Sequence, residues 1–92
     1  MIRSFADSVT ERVWQRRRTK LHPDIQRRTW NKLAMLNNAA TLTDLRVPPG
    51  NRLEQLRGDR AGQYSIRVNQ QWRICFRWSD AGPEDVQITD YH

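Results

Sequence analysis

Two adjacent stretches of period-two alternation constrain this chain more than any other feature. Tyr64, Ile66 and Val68 take every second position, and after Asn69-Gln70 the pattern resumes as Trp72, Ile74, Phe76 and Trp78. Successive strand side chains point to opposite faces, so each set lines one face and the pair reads as an antiparallel hairpin. Arg67, Arg73, Cys75 and Arg77 are then expected on the other face. After a turn at Asp80-Ala81-Gly82-Pro83, Asp85 to Tyr91 is expected as a last strand with Val86 and Ile88 turned to the core.

The first half carries a different period. Ser8-Val9-Thr10-Glu11 matches a capping box and predicts a helix from about Val9 to about Arg18, its basic end suiting the negative pole of the helix dipole. His22-Pro23-Asp24 reads as a second helix entry, with Ile25, Thr29, Leu33, Leu36 and Ala40 forming one stripe and Trp30 beside it. Ile2 to Phe5 is expected as a short first strand. Thr41 to Asn51 is a connector blocked by Pro48-Pro49-Gly50, and Leu53 with Leu56 suggests a short ordered stretch before the turn Gly58 to Gly62. The order implies an α+β domain, with two N-terminal helices packed on one face of a twisted, mainly antiparallel sheet of about four strands. Residues 1–92 are read as a single domain, too short for a deep substrate cavity.

Charge bounds the partners. Sixteen Lys and Arg against ten Asp and Glu give a net charge of +6 and an isoelectric point near 10.7, and most of the cations are arginine. Arginine makes bidentate phosphate contacts and stacks on bases, which favours a nucleic-acid or other acidic partner over a merely solvated basic face. No apolar run reaches membrane-span length and no secretory leader is visible, so a cytoplasmic protein without membrane association is expected. Cys75 has no partner in the chain and is read as a packing residue.

Candidate chemistry concentrates in the sheet half. Asp90, Tyr91 and His92 place a carboxylate, a phenol and an imidazole at one strand end, with Arg57, Arg67, Arg73 and Arg77 in the same half. Cations near an imidazole suit phosphoryl chemistry, where charge builds on phosphate oxygens and a proton moves between oxygens. RNA supplies its own nucleophile, the 2′-hydroxyl, so no metal or cofactor is required. HExxH, cysteine pairs and a Gly-x-Ser-x-Gly elbow are all missing, which disfavours metal hydrolysis and serine hydrolysis. The residues alone leave a second reading open, in which the tail is an ordinary solvated chain end.

The stretch Leu56 to Asn69, then Gln71-Trp72-Arg73-Ile74-Cys75-Phe76 and the terminal Asp90-Tyr91-His92, resembles the HigB (GraT-like) branch of the RelE/ParE superfamily of type II toxins. The resemblance extends to Met1 to Phe5 and Pro48 to Glu54 and so covers essentially the whole chain. It implies a ribosome-dependent endoribonuclease that cuts mRNA, and a HigA-like helix-turn-helix antitoxin that contacts operator DNA and links the toxin to it only indirectly. Carried over, Arg73 would steady the scissile phosphate, Asp90, Tyr91 and His92 would form a catalytic tail, and Arg57 would stand where relatives often have a cation. The sequence departs from relatives at Glu54, where they can carry histidine, so Glu54 joins the catalytic candidates while His92 is favoured as the main proton carrier. Arg16, Arg17, Arg18, Lys20, Arg27 and Arg28 would form a surface for docking on ribosomal RNA. Two readings from other classes stand beside this one: a ParE-like toxin that binds DNA gyrase without catalysis, and an RNA- or ribosome-binding module that does not cut.

Overall fold

The computed structural model describes residues 1–90. Four strands, β1 (Glu54–Gln55), β2 (Tyr64–Arg67), β3 (Trp72–Ser79) and β4 (Gly82–Asp90), form one antiparallel sheet in sequence order. The hairpin is where alternation put it. Tyr64 pairs with Phe76 and Ile66 with Ile74, and Asn69 closes the turn by accepting from the N–H groups of Gln71 and Trp72, both at 2.8 Å. β4 begins three residues before the expected Asp85, because Gly82 pairs with Ser79 and carries the chain round at φ +124°.

Helix α1 (Ser8–Trp14) is capped one residue earlier than predicted: Asp7, not Ser8, accepts from the Thr10 N–H at 2.9 Å. It is also shorter. Arg16 takes a left-handed conformation at φ 59°, its N–H donating to the Val13 carbonyl while that of Arg17 reaches back to Arg12. This is a Schellman ending with arginine where glycine is usual, at a backbone cost on the order of 1 kcal/mol. The run Arg16 to Arg18 therefore leaves the helix instead of capping its dipole. Helix α2 (Pro23–Asn38) starts as expected, with His22 Nδ1 accepting from Asp24 N–H, and buries Thr29, Leu33 and Leu36. Ala40 lies past its end and is exposed.

Val13 from α1 and Leu33 and Leu36 from α2 meet Ile66, Ile74, Phe76 and Val86 in one core, so both helices lie on the Ile66/Ile74 face. The Thr10 hydroxyl accepts from Ile88 N–H at 2.9 Å and fixes α1 on β4. Residues 2–5 do not form a regular strand. They run parallel to β4 as a strap, with a single bridge at Phe5 to Val86 and hydrogen bonds from Arg3 to Pro83 and from Val86 to Ser4. The strap passes so near Gly82 that a Cβ there would sit 2.5 Å from the Met1 carbonyl oxygen.

The connector folds into two 3₁₀ turns, Leu42–Arg46 and Pro49–Asn51. Thr41 and Asp44 cap the first reciprocally, and the backbone N–H groups of Thr41 and Ala40 hold the Asp44 carboxyl below its usual range. Asn51 is fully buried at the second, accepting from Lys32 Nζ at 2.6 Å and donating to the Leu45 carbonyl at 3.1 Å. Partial burial lowers the Lys32 ammonium. Asn51→Ala strands these groups and is expected to cost about 1–3 kcal/mol. A urea midpoint equal to that of the parent chain would disprove the tie.

Candidate active site

Arg73 is the most constrained cation of the sheet. Strand alternation places it with Ser65, Arg67 and Cys75 on the face that α1 and α2 leave uncovered. It is not open at this point. Ser65 and Cys75 have no exposed surface and Arg73 keeps 9% of its own, because the second 3₁₀ turn packs against β2 and brings Arg52 over the sheet. Arg52 is left-handed at φ 46°, and its carbonyl accepts from an Arg73 Nη at 2.7 Å. Arg73 Nε donates to Ser65 Oγ at 2.7 Å, and the same Nη lies 3.6 Å from Glu54 Oε2. A guanidinium leaves water only when acceptors replace it, and here they come from β1, β2 and the connector.

Glu54 stays 59% exposed at its side chain, so the pair joins a buried cation to a carboxylate that water reaches. That carboxylate is the acceptor an incoming phosphate would most easily replace, since both offer oxygens in the fork geometry arginine binds. Arg67 sits directly opposite Arg73, an arrangement that repels. The two are parted because Arg67 Nε turns to the Asn69 carbonyl at 3.0 Å while Arg73 leans toward Ser65.

Asp90 ends the described chain at the register of Trp72, one position from Arg73, and accepts from Gln71 Nε2 at 3.1 Å. Tyr91 and His92 lie outside the described residues. Arg57 is exposed at the start of a 3₁₀ turn, Gly58–Arg60; the arginine paired with Glu54 is Arg73. Arg77 is not gathered with Arg73. A register shift separates it from Cys75, and its guanidinium meets Asp85 at 3.5 Å.

Arg16, Arg17, Arg18, Lys20, Arg27 and Arg28 are all exposed on the helical layer or its connecting loop. Asp24 pairs with both Arg27 and Arg28, and its carboxyl is held below the usual range chiefly by the hydrogen bond from Arg27. Sequence reasoning missed Ser65 and the Arg52 carbonyl. The one available signal was a small hydroxyl side chain between Tyr64 and Ile66 in an otherwise bulky strand.

Fold and sequence together define a class: an α+β toxin of the RelE type, from a type II toxin-antitoxin system. The family model described as RelE-like toxin of type II toxin-antitoxin system HigB matches residues 3–92. The chain is 39% identical over 82 residues to Toxin HigB-1 of Vibrio cholerae, covering 87% of this chain and 86% of that one. It is also 33% identical over 78 residues to an uncharacterised protein of Haemophilus influenzae, covering 83% and 77%. The chain belongs to the HigB-like toxin family, and membership of a type II system implies an antitoxin partner.

Arg73→Lys keeps the charge but cannot serve Ser65, Arg52 and Glu54 together, and Arg73→Ala serves none. Thermal unfolding should rank parent, Lys, Ala, with alanine costing about 1–3 kcal/mol. Equal midpoints would show that the guanidinium does not hold the connector.

Proposed function

We propose that this toxin is a ribosome-dependent endoribonuclease that cuts mRNA by metal-independent attack of the 2′-hydroxyl on the adjacent phosphate. The observation that carries the reading is the fixed Arg73 guanidinium, held against an exposed Glu54, at a strand position that pairs with Thr89, next to Asp90. Arg73 steadies the scissile phosphate by exchanging Glu54 for phosphate oxygens, with Arg57 and Arg67 adding positive potential nearby. A base takes the 2′-hydroxyl proton, O2′ bonds to phosphorus, and the 5′-oxygen departs with a proton from an acid, leaving a 2′,3′-cyclic phosphate. His92 is the main proton carrier and Tyr91 stacks on substrate or relays the proton. Asp90 holds the tail in place, a role its hydrogen bond to Gln71 supports. Glu54 is the second candidate base.

The partners in this reading are the ribosome and its mRNA, and a HigA-like helix-turn-helix antitoxin that alone contacts operator DNA. The setting is the cytoplasm; among the described residues no helix is long and apolar enough to cross a membrane. The arginines of the helical layer and its loop bring the protein to ribosomal RNA, and the ribosome orients the message.

A positioned acid or base contributes about 10²–10⁴ in rate. His92→Ala is expected to lower cleavage on translating ribosomes by that factor, and Glu54→Ala by less; undiminished cutting by the His92 variant removes the assignment. Deleting Tyr91 and His92 should also abolish growth arrest when the toxin is expressed without antitoxin. Persistent arrest would favour a toxin that acts by binding alone, such as one directed at gyrase.

A further inference from the structure

The loop between α1 and α2 frames a groove of about 670 Å³, lined by arginines to which the reading above gives only a general part in docking on ribosomal RNA. Its floor is apolar, from Val13, Leu21 and Trp30, and four arginines, Arg16, Arg17, Arg18 and Arg27, line it with no acidic side chain among the lining residues. The Trp30 ring stacks on Trp14 at 5.5 Å between centroids, and the Arg16 guanidinium lies over Trp30 at 4.0 Å. Left-handed backbone at Arg16 stands at the origin of that side chain, so an unfavourable conformation is tolerated where it sets a cation on a ring. The loop is braced: Gln26 Nε2 donates to the Arg17 carbonyl at 2.7 Å, and Thr19 Oγ1 donates to Gln26 Oε1 at 2.8 Å.

We infer that this groove is a second RNA site, in which one unpaired base stacks on the outer face of the Arg16 guanidinium while Arg17 and Arg18 take the flanking phosphates. Trp30 meets both the Trp14 ring and the Arg16 guanidinium, so a planar base stacked on that guanidinium extends an existing cluster, and an arginine stacked on a base keeps its N–H edge for phosphate oxygens. The groove suits a nucleotide better than an acidic peptide. It offers a flat stacking surface and a cationic rim, but no free strand edge for a peptide to join. The core-facing side of the sheet carries this groove and the opposite side carries Arg73, so one strand of message does not fill both without wrapping the molecule. The occupant is therefore a looped-out base of ribosomal RNA. That source rests on the ribosome-dependent reading above, whereas the stacking site does not.

Arg16→Gly separates binding from folding, because glycine accepts the left-handed backbone and its relief of strain offsets the lost contact with Trp30. Its melting midpoint should match the parent. A short oligoadenylate titrated into the full chain, read by quenching of tryptophan fluorescence, should bind more weakly as salt rises. Arg16→Gly should lose roughly tenfold to a hundredfold in affinity, and Arg16→Lys should fall between, keeping charge without the planar face. Vacant ribosomes should also retain Arg16→Gly less well than the parent. Equal oligoadenylate binding by Arg16→Gly, parent-like binding by Arg16→Lys, or quenching by oligoglutamate in place of oligoadenylate would each overturn the stacking site. A ribosome defect seen only with message bound would overturn the ribosomal source. Neither arm reads cleavage, so a failure of the nuclease reading leaves the oligonucleotide result intact.

Discussion

A guanidinium withdrawn from water needs oxygen atoms around it, and this requirement organises the sheet's far side. Arg73 is the second residue of β3, followed by the fully buried Ile74, Cys75 and Phe76, and itself keeps only 9% of its surface. The chain meets the need by bending: Arg52 turns left-handed to aim its carbonyl inward, Ser65 stands where a bulkier residue would block the approach, and the two-residue β1 delivers Glu54. A connector carbonyl, a β2 hydroxyl and a β1 carboxylate thus converge on one cation. A residue fixed by structural contacts on one side and by an exchangeable carboxylate on the other is well prepared to receive an anion, because little reorganisation accompanies binding.

The sheet was largely legible because alternation is a local signal. Tyr64, Ile66, Ile74 and Phe76 pair across the hairpin with the register their spacing implies, and the helical stripe of Thr29, Leu33 and Leu36 faces them. Part of what the sequence did not disclose depended on distant chain. The alternation that put Arg73 on the outer face was right, but its burial comes from a connector more than twenty residues upstream in the chain. The end of α1 was misplaced because Arg16 to Arg18 satisfy the dipole rule for a helix terminus, whereas a left-handed arginine, normally disfavoured, stops the helix at Trp14. Asp90 pairs with Trp72 and so shares its face of the sheet, opposite that of Arg73, while the proton chemistry proposed for Tyr91 and His92 rests on sequence and family.

The positive charge, which composition presents as one total, divides into groups with different fates. Arg73 is spent on architecture as well as on the site, Arg77 is answered by Asp85, and Arg27 and Arg28 share Asp24. Arg16 is committed to an aromatic ring. Under the proposed function the separation by faces matters, since gripping a large polyanion and handling one phosphate are then tasks kept apart.

The strap along β4 has a consequence for how the molecule behaves in company. A sheet ending in bare strands invites another chain to add itself, and toxins released from their partners spend time unaccompanied. Here the Ser4 to Ala6 backbone is already bonded to β4 near Val86, and the other rim is only Glu54 and Gln55 long. Among the described residues neither border offers a long template for edge-to-edge growth, which is how a sheet limits the addition of another chain.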